Sequence, residues 1–249
     1  MDKNDVRISV VTVTYNAEGT LAKTIRSVLA QTHAAYEYII VDGASSDKTV
    51  EVAESFRSDI EAKGIAYTVI SEKDDGIYDA MNKGAKAAAG DIVGIINSGD
   101  TYEEIALETV ADAYVKEPFD LFYADIRMVL SDGKSFIKHA KDRRYATSRD
   151  WNHPTTFIKK SVYEKYSYRT DNIHDDYDLI LRLKKDGAKT VVVNKVLASF
   201  PMDGVSHRRS FAAARDSIRI KYDIYRRNGY SRFYMFECVL VELGKLIIG

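Results

Sequence analysis

With 249 residues, 45% of them apolar and 29% charged, and a formal charge of -1, the chain is neither a disordered nor a fibrous polypeptide. That charge offers no overall electrostatic case for nucleic acid or acidic partners. Cys238 is the one cysteine, which excludes an intrachain disulfide framework. The charged start Met1–Asp5 leads straight into a strand-like segment, so no targeting peptide is expected, and no run of about 18 apolar residues suggests a membrane span.

Ile8 to Tyr15 is rich in β-branched residues and predicts a buried strand, broken at Asn16 to Gly19. Thr20 to Gln31 then sets Leu21, Ile25, Val28 and Leu29 at helical spacing. Tyr38 to Val41 is a second strand, followed by the polar run Asp42 to Asp47. There Ser46 or Asp47 is placed to cap a helix running toward Lys63. Tyr67 to Ser71 predicts a third strand, Ile77 to Ala89 a helix stopped at Gly90, and Asp91 to Ile96 a fourth strand. This alternation predicts a parallel sheet covered on both faces, with ligands outside the carboxyl ends of its strands. The polar clusters at Asn16, Asp42 to Asp47, Lys73 to Gly76 and Asn97 to Asp100 can therefore converge on one pocket.

The second half is less regular. Thr101 to Val115 predicts a helix and Leu121 to Asp125 a short strand, while Ile126 to Ser131 and Lys134 to Ile137 suggest a hairpin through Asp132-Gly133. Trp151 to Lys159 joins a polar loop to a strand. Asp176 to Asp186 sets Leu179, Ile180 and Leu183 on one helical face before Gly187, and Thr190 to Val193 and Val196 to Phe200 are strand-like. From Ser210 onward the pattern is helical. Between Arg208 and Arg232 eight Arg or Lys residues stand against Asp216 and Asp223, an asymmetry that the near-neutral total conceals.

A carboxylate at a strand end, with glycine allowing close approach, suits a divalent cation bridging to phosphate, and Asn97-Ser98-Gly99-Asp100 has this form. Taken alone it reads equally as a turn. Asp42-Gly43 reads equally as an Asx turn, Glu72 to Gly76 as a solvated charged turn, and Asp175-Asp176 as an acidic helix start.

Together these segments resemble the inverting glycosyltransferases of family 2, with the GT-A fold, especially bacterial enzymes that build surface polysaccharides. Val10 to Asn16 resembles the family's first strand and nucleotide-binding turn, which implies donor contacts at Thr14, Tyr15 and Asn16. Ile39 to Thr49 resembles its second motif, with Asp42 on the nucleoside. Ser71 to Gly84 resembles its third, with Asp75 ahead of Asp74 at the nucleotide turn and Asp79, Asn82 and Lys83 around the donor. Asn97, Ser98, Gly99 and Asp100 stand where the family carries a metal-binding DxD motif. Asn97 replaces the first carboxylate, so Asp100 is the expected metal ligand, for Mn2+ or Mg2+ weakly held. His153-Pro154-Thr155-Thr156-Phe157 resembles the acceptor-side segment, with Trp151 just before it, and His174-Asp175-Asp176 resembles the acidic pair before a helix. This implies Asp176 as general base and Asp175 as its support.

The resemblance covers roughly residues 6–210 and implies a catalytic domain over 1–209. Residues 1–100 would bind the nucleotide-sugar and 101–209 the acceptor side, and a basic and apolar helical extension would follow over 210–249. It further implies transfer from a nucleotide-sugar, with UDP preferred over GDP or dTDP, to a glycan or lipid-linked acceptor in the cytoplasm. The extension is a candidate for peripheral contact with the inner face of the cell membrane, or for a homodimer. No nucleic-acid partner is expected. A sugar nucleotidyltransferase or a non-catalytic nucleotide-sugar-binding protein are the competing readings.

Overall fold

The computed structural model describes residues 2–143, 145, 147–202 and 211–248, the side chains after residue 244 excepted. In the first half β1 (Ile8–Thr14), α1 (Leu21–Leu29), β2 (Glu37–Asp42), α2 (Thr49–Ser55), α3 (Arg57–Ala62), β3 (Ala66–Ser71), α4 (Ile77–Ala87) and β4 (Ile92–Asn97) follow one another. β1 is buried along its whole length, as its run of β-branched residues demands of a central parallel strand. The single helix expected up to Lys63 is two, because the chain turns at Phe56, whose ring packs on the core beneath the Arg26 guanidinium.

The second half comprises β5 (Thr101–Tyr102), α5 (Ala106–Lys116), β6 (Leu121–Val129), β7 (Ser135–Lys138), β8 (Phe157–Lys159), α6 (Lys160–Tyr163), α7 (Asp175–Lys185), β9 (Thr190–Pro201), α8 (Phe211–Arg227) and α9 (Tyr234–Ile248). Thr101 and Tyr102 leave the helix predicted for them and pair with Ser199 and Ala198 of β9. Tyr102 also stacks on Phe157, so tertiary pairing overrides local propensity here. The strand expected to stop at Asp125 continues to Val129, and the two predicted over 190–200 are one. Register shifts around Asp125, where β6 lies beside β9, account for the apparent gap.

The nine strands form one sheet in the order β3-β2-β1-β4-β8-β6-β9-β5, with β7 beside β6. β3, β2, β1 and β4 are parallel, whereas β8 runs antiparallel to both β4 and β6. One face buries α1 and α5 residues such as Ile25 and Val110, and the other buries α4 and α7 residues such as Met81 and Leu181. The helical extension is docked on this second face. The Tyr225 hydroxyl meets that of Tyr177 at 2.8 Å, the Tyr225 ring stacks on Tyr234, and Lys221 pairs with Glu242 at 2.6 Å. Arg208, Ser210 and the side chains of Leu246, Ile247 and Ile248 lie outside the described residues.

Chain order runs outward from β1 through β2 to β3, then returns to β4 on the other side of β1. That reversal opens a crevice at the carboxyl ends of β1 and β4, where an open α/β sheet binds ligands. Thr14 and Asn97 end these two strands, and β2 ends beside them at Asp42.

Candidate active site

The turns after β1 and β2 are sewn to each other. Asn16, at a positive φ of 46°, accepts the Ser46 backbone N–H on its side-chain oxygen at 2.9 Å and donates its own N–H to Ser45 Oγ at 2.8 Å. Asp42 is buried, and its carboxylate accepts from the Ser45 N–H, the Ser45 hydroxyl and the Ser71 hydroxyl, the last at 2.7 Å. Asp42 thereby holds the rim of the crevice together, while Tyr15 stands 66% exposed upon it. Gly43 leaves room for its neighbours: a Cβ there would lie 2.5 Å from Asp74 Oδ2, which would have to swing aside, and 3.4 Å from the Tyr15 ring.

Those distances put Asp74 against the Gly43 and Tyr15 surface, whereas Asp75, the residue favoured from sequence, is exposed beyond it. Asp79 accepts the Asp75 N–H and pairs with Lys83 at 3.3 Å. Lys83 in turn reaches Glu72 at 3.0 Å and the Lys73 carbonyl at 2.8 Å. Asp79 and Lys83 therefore brace the turn. Asn82 spends both ends of its amide on the Tyr168 backbone at 2.9 Å each.

At the end of β4 the chain bends through Gly99, at a φ of +101°. Thr24 of α1 holds the bend: its hydroxyl accepts the Gly99 N–H and donates to the Asp100 carbonyl. Ser98 meets Thr20 at 3.2 Å. Thr14 Oγ1, Asn97 Oδ1 and Asp100 Oδ2 are buried without hydrogen-bond partners among the described residues. Burial pushes the Asp100 carboxyl up to about 8, against a pull downward from Lys23. A buried polar atom without a partner is costly, so these three mark where a ligand would be received.

Asp176 is the second residue of α7, partly exposed, with its carboxylate accepting the Tyr177 N–H at 2.7 Å. Burial raises its pKa, and the nearby Asp175 charge adds to the rise; His153, the Tyr177 N–H and Tyr78 oppose it. His153 carries no hydrogen bond on either ring nitrogen among the described residues, and burial lowers its pKa despite the Asp176 charge. Tyr78, which carries no signal of a site role in the sequence, links the two halves: its hydroxyl donates to the Ile173 carbonyl at 3.0 Å and its ring stacks on Tyr168. Together with Asn82 it ties α4 to the loop that leads into Asp176.

Three expected site residues have internal partners instead. Trp151 is buried and donates its indole N–H to Thr156 Oγ1 at 2.7 Å, lying edge-on to His153. Thr155 is fully buried and bonds the Ala124 N–H and carbonyl. Asp175 is fully buried and turned from the crevice toward the Asp171 and Asn172 backbone and Arg227. Thr24 and Tyr78 shape the site without having been predicted. Their spacing carries no chemical signature, because their effect comes from contacts distant in sequence.

A family model for glycosyl transferase family 2 matches residues 9–176. An uncharacterized glycosyltransferase of Mycobacterium tuberculosis is 29% identical over 228 residues, which cover 88% of this chain and 84% of that one. A PGL/p-HBAD biosynthesis glycosyltransferase of the same species is 33% identical over 123 residues, 48% of this chain and 46% of its own. Among solved structures, S. aureus TarS in complex with UDP-GlcNAc superposes with a TM-score of 0.68 at 16% identity, covering 96% of this chain and 72% of that one. The mannosyltransferase PcManGT of Pyrobaculum calidifontis, in complex with GDP-Man and Mn2+, does so at 0.65 and 16% identity, covering 98% and 71%. At such identities the likeness is one of fold.

Proposed function

The chain belongs to glycosyl transferase family 2 and is a glycosyltransferase, and from that premise we propose that it moves a sugar from a nucleotide-sugar to an acceptor hydroxyl in one inverting displacement. The observation that carries this reading is a pair of features: unspent buried polar atoms at the ends of β1 and β4, and the partly exposed carboxylate of Asp176 beside His153, whose turn leads into the strand paired with β4. The first suits a diphosphate and ribose, and the second suits a hydroxyl that must lose a proton. The nucleotide-sugar complexes of the two structural neighbours support a donor of this kind, and we favour UDP.

In this reading Tyr15, Asp42 and Asp74 form the nucleoside wall, and Thr14, Asn97 and Asp100 meet ribose and diphosphate. Asp176 accepts the acceptor's proton while the acceptor oxygen attacks the sugar carbon from the opposite face. Residues 1–100 thus serve the donor, 101–209 the acceptor and 210–249 the docked extension. Asp100 and Asn97 present oxygen atoms suited to Mn2+ or Mg2+. Among the described residues no three acidic, His or Cys side chains gather as a metal site, so phosphate oxygens would complete the coordination. When bound, the cation would neutralise charge on the leaving nucleoside diphosphate.

A screen of UDP-, GDP- and dTDP-sugars with Mn2+ or Mg2+ tests the function. Release of nucleoside diphosphate is expected, with D74A raising the donor KM by about 10-fold or more, the loss of about one charge-assisted hydrogen bond. D75A should change KM by less than about 3-fold. Release of pyrophosphate from a sugar phosphate and a nucleoside triphosphate would replace this reading with the nucleotidyltransferase, and binding without turnover would replace it with a binding protein.

No described helix is long and apolar enough to cross a membrane. α9 nevertheless turns Phe236, Leu240 and Leu243 outward in a row, with Phe233 before them under the Arg232 guanidinium. Exposed Arg215, Arg219 and Arg226 line one side of α8. An apolar stripe with Arg232 at its start, on a helical pair that carries further exposed arginines, suits an anionic lipid surface at the inner face of the cell membrane, where a lipid-linked acceptor would be met. The chain should float with phosphatidylglycerol vesicles, and F236D/L240D should reduce the bound fraction at least 5-fold. A dimer that the same variant dissolves, with no vesicle binding, would reassign the stripe to a second copy.

A further inference from the structure

We propose that Arg227 is a positioning residue for the general base, holding the start of α7 from the carboxyl-terminal helices; this rests on the reading of Asp176 as that base. Arg227 ends α8, yet its guanidinium reaches three carboxylates around the start of α7. Nε donates to Asp178 at 2.9 Å, one terminal nitrogen to Asp171 at 2.9 Å and the other to Asp175 at 3.0 Å. Asp175 and Asp178 are fully buried.

The two buried acids differ in how they are compensated. Asp178 also has Arg182 at 3.0 Å, Arg169 at 3.4 Å and the Asn228 amide at 2.7 Å. For Asp175, Arg227 is the one cation within ion-pair distance among the described residues. The Asp175 carboxylate is also the centre about which the preceding turn is wound. It accepts the backbone N–H groups of Asp171 at 2.6 Å and Asn172 at 2.9 Å, and the Asn172 side-chain amide at 2.7 Å.

A buried carboxylate deprived of its cation is strongly unfavourable, so loss of Arg227 would be relieved by unwinding this turn. Asp176 is the next residue along the chain, and a displacement of about 1 Å at a reacting group costs about 100-fold in rate. A planar guanidinium reaches the three carboxylates from three separate nitrogens in a fixed fork, whereas lysine gathers its donors on one nitrogen. The extension therefore takes part in catalysis by fixing the base, in addition to closing over the core.

The test uses the full chain and the nucleotide-sugar that turns over in the screen above. R227K is expected to lower kcat by about 10- to 100-fold, with the affinity for free UDP and the donor KM changed less than about 3-fold. In a D176N background R227K should lower kcat no further, since it acts through Asp176. K221M, which breaks the buried α8–α9 ion pair away from Asp175, is the control for general loosening and should retain at least about half of kcat. Wild-type kcat in folded R227K, or an equal loss in K221M at a matched fall in melting temperature, would overturn the inference. Near-normal turnover of D176N alone would instead remove the base reading on which it stands. Should R227K fail to fold, D175N/R227Q leaves no charge unpaired at Asp175 but still severs the tie from α8 to the turn before Asp176, and is expected to show the same split between kcat and UDP affinity. Wild-type kcat in that variant would equally overturn the inference.

Discussion

Replacing Asp176 with Asn is expected to lower kcat by about 1,000-fold, or about 4 kcal/mol of transition-state stabilisation, while nucleotide affinity stays within about 3-fold. The substitution is nearly isosteric and retains an oxygen for the Tyr177 N–H, so the start of α7 keeps its geometry. What it removes is basicity. Burial raises the Asp176 carboxyl above its ordinary value, which makes the carboxylate a stronger base near neutral pH. The wild-type rate should consequently fall along an acid limb centred above the usual carboxylate range, and D176N should lose that limb. A pH–rate profile with donor saturating reads both effects. Turnover within 10-fold of wild type would remove Asp176 from the chemical step.

The second large effect concerns Asp100, where function and stability are expected to move in opposite directions. Burial pushes its carboxyl up to about 8 from an ordinary 3.8. Between those values the folded chain keeps a proton that the unfolded chain has released, so stability falls as pH rises across that window. D100N carries no such proton. Without added cations, the variant and the wild type should melt within about 2 °C of each other near pH 4.5. At pH 8 the variant should be the more stable by about 1–3 kcal/mol, several degrees in melting temperature. Turnover should nevertheless fall at least 100-fold, because Asp100 is the one carboxylate in the Asn97 to Asp100 bend. Addition of Mn2+ with UDP should raise the melting temperature of the wild type and leave D100N nearly unchanged. Equal melting at pH 8 would show that Asp100 bears no buried charge.

The polar clusters were legible because each follows a strand or its connection, and the strands themselves carry a local signal of β-branched residues. Asp42, Asp74 and Asp100 were in view on that ground, and Asp176 through the resemblance of His174 to Asp176 to the family's acidic pair. Their ranking was not legible in the local pattern. Asp74 and Asp75 are neighbours of the same type, and only the close approach at Gly43 sets Asp74 against the turn after β2. Asp175 and Asp176 are another such pair, ranked in advance by the resemblance alone; the fold adds a physical difference, since Arg227, on an element some fifty residues later, engages Asp175. Asn82 falls to the donor by its place in a motif, but Tyr168 takes its amide. Thr101 and Tyr102 carry a helical pattern, and β9 draws them into a strand.

By itself, then, the sequence determined the alternation of strands and helices, the carboxyl edge on which the acidic residues gather, and the family to which the chain belongs. Each of these depends on residues near one another in the chain. The tertiary structure decided which carboxylates are already satisfied by internal partners and which remain available to a ligand. A hydrogen bond or ion pair is made with whatever the fold brings within about 3 Å, at any separation along the chain.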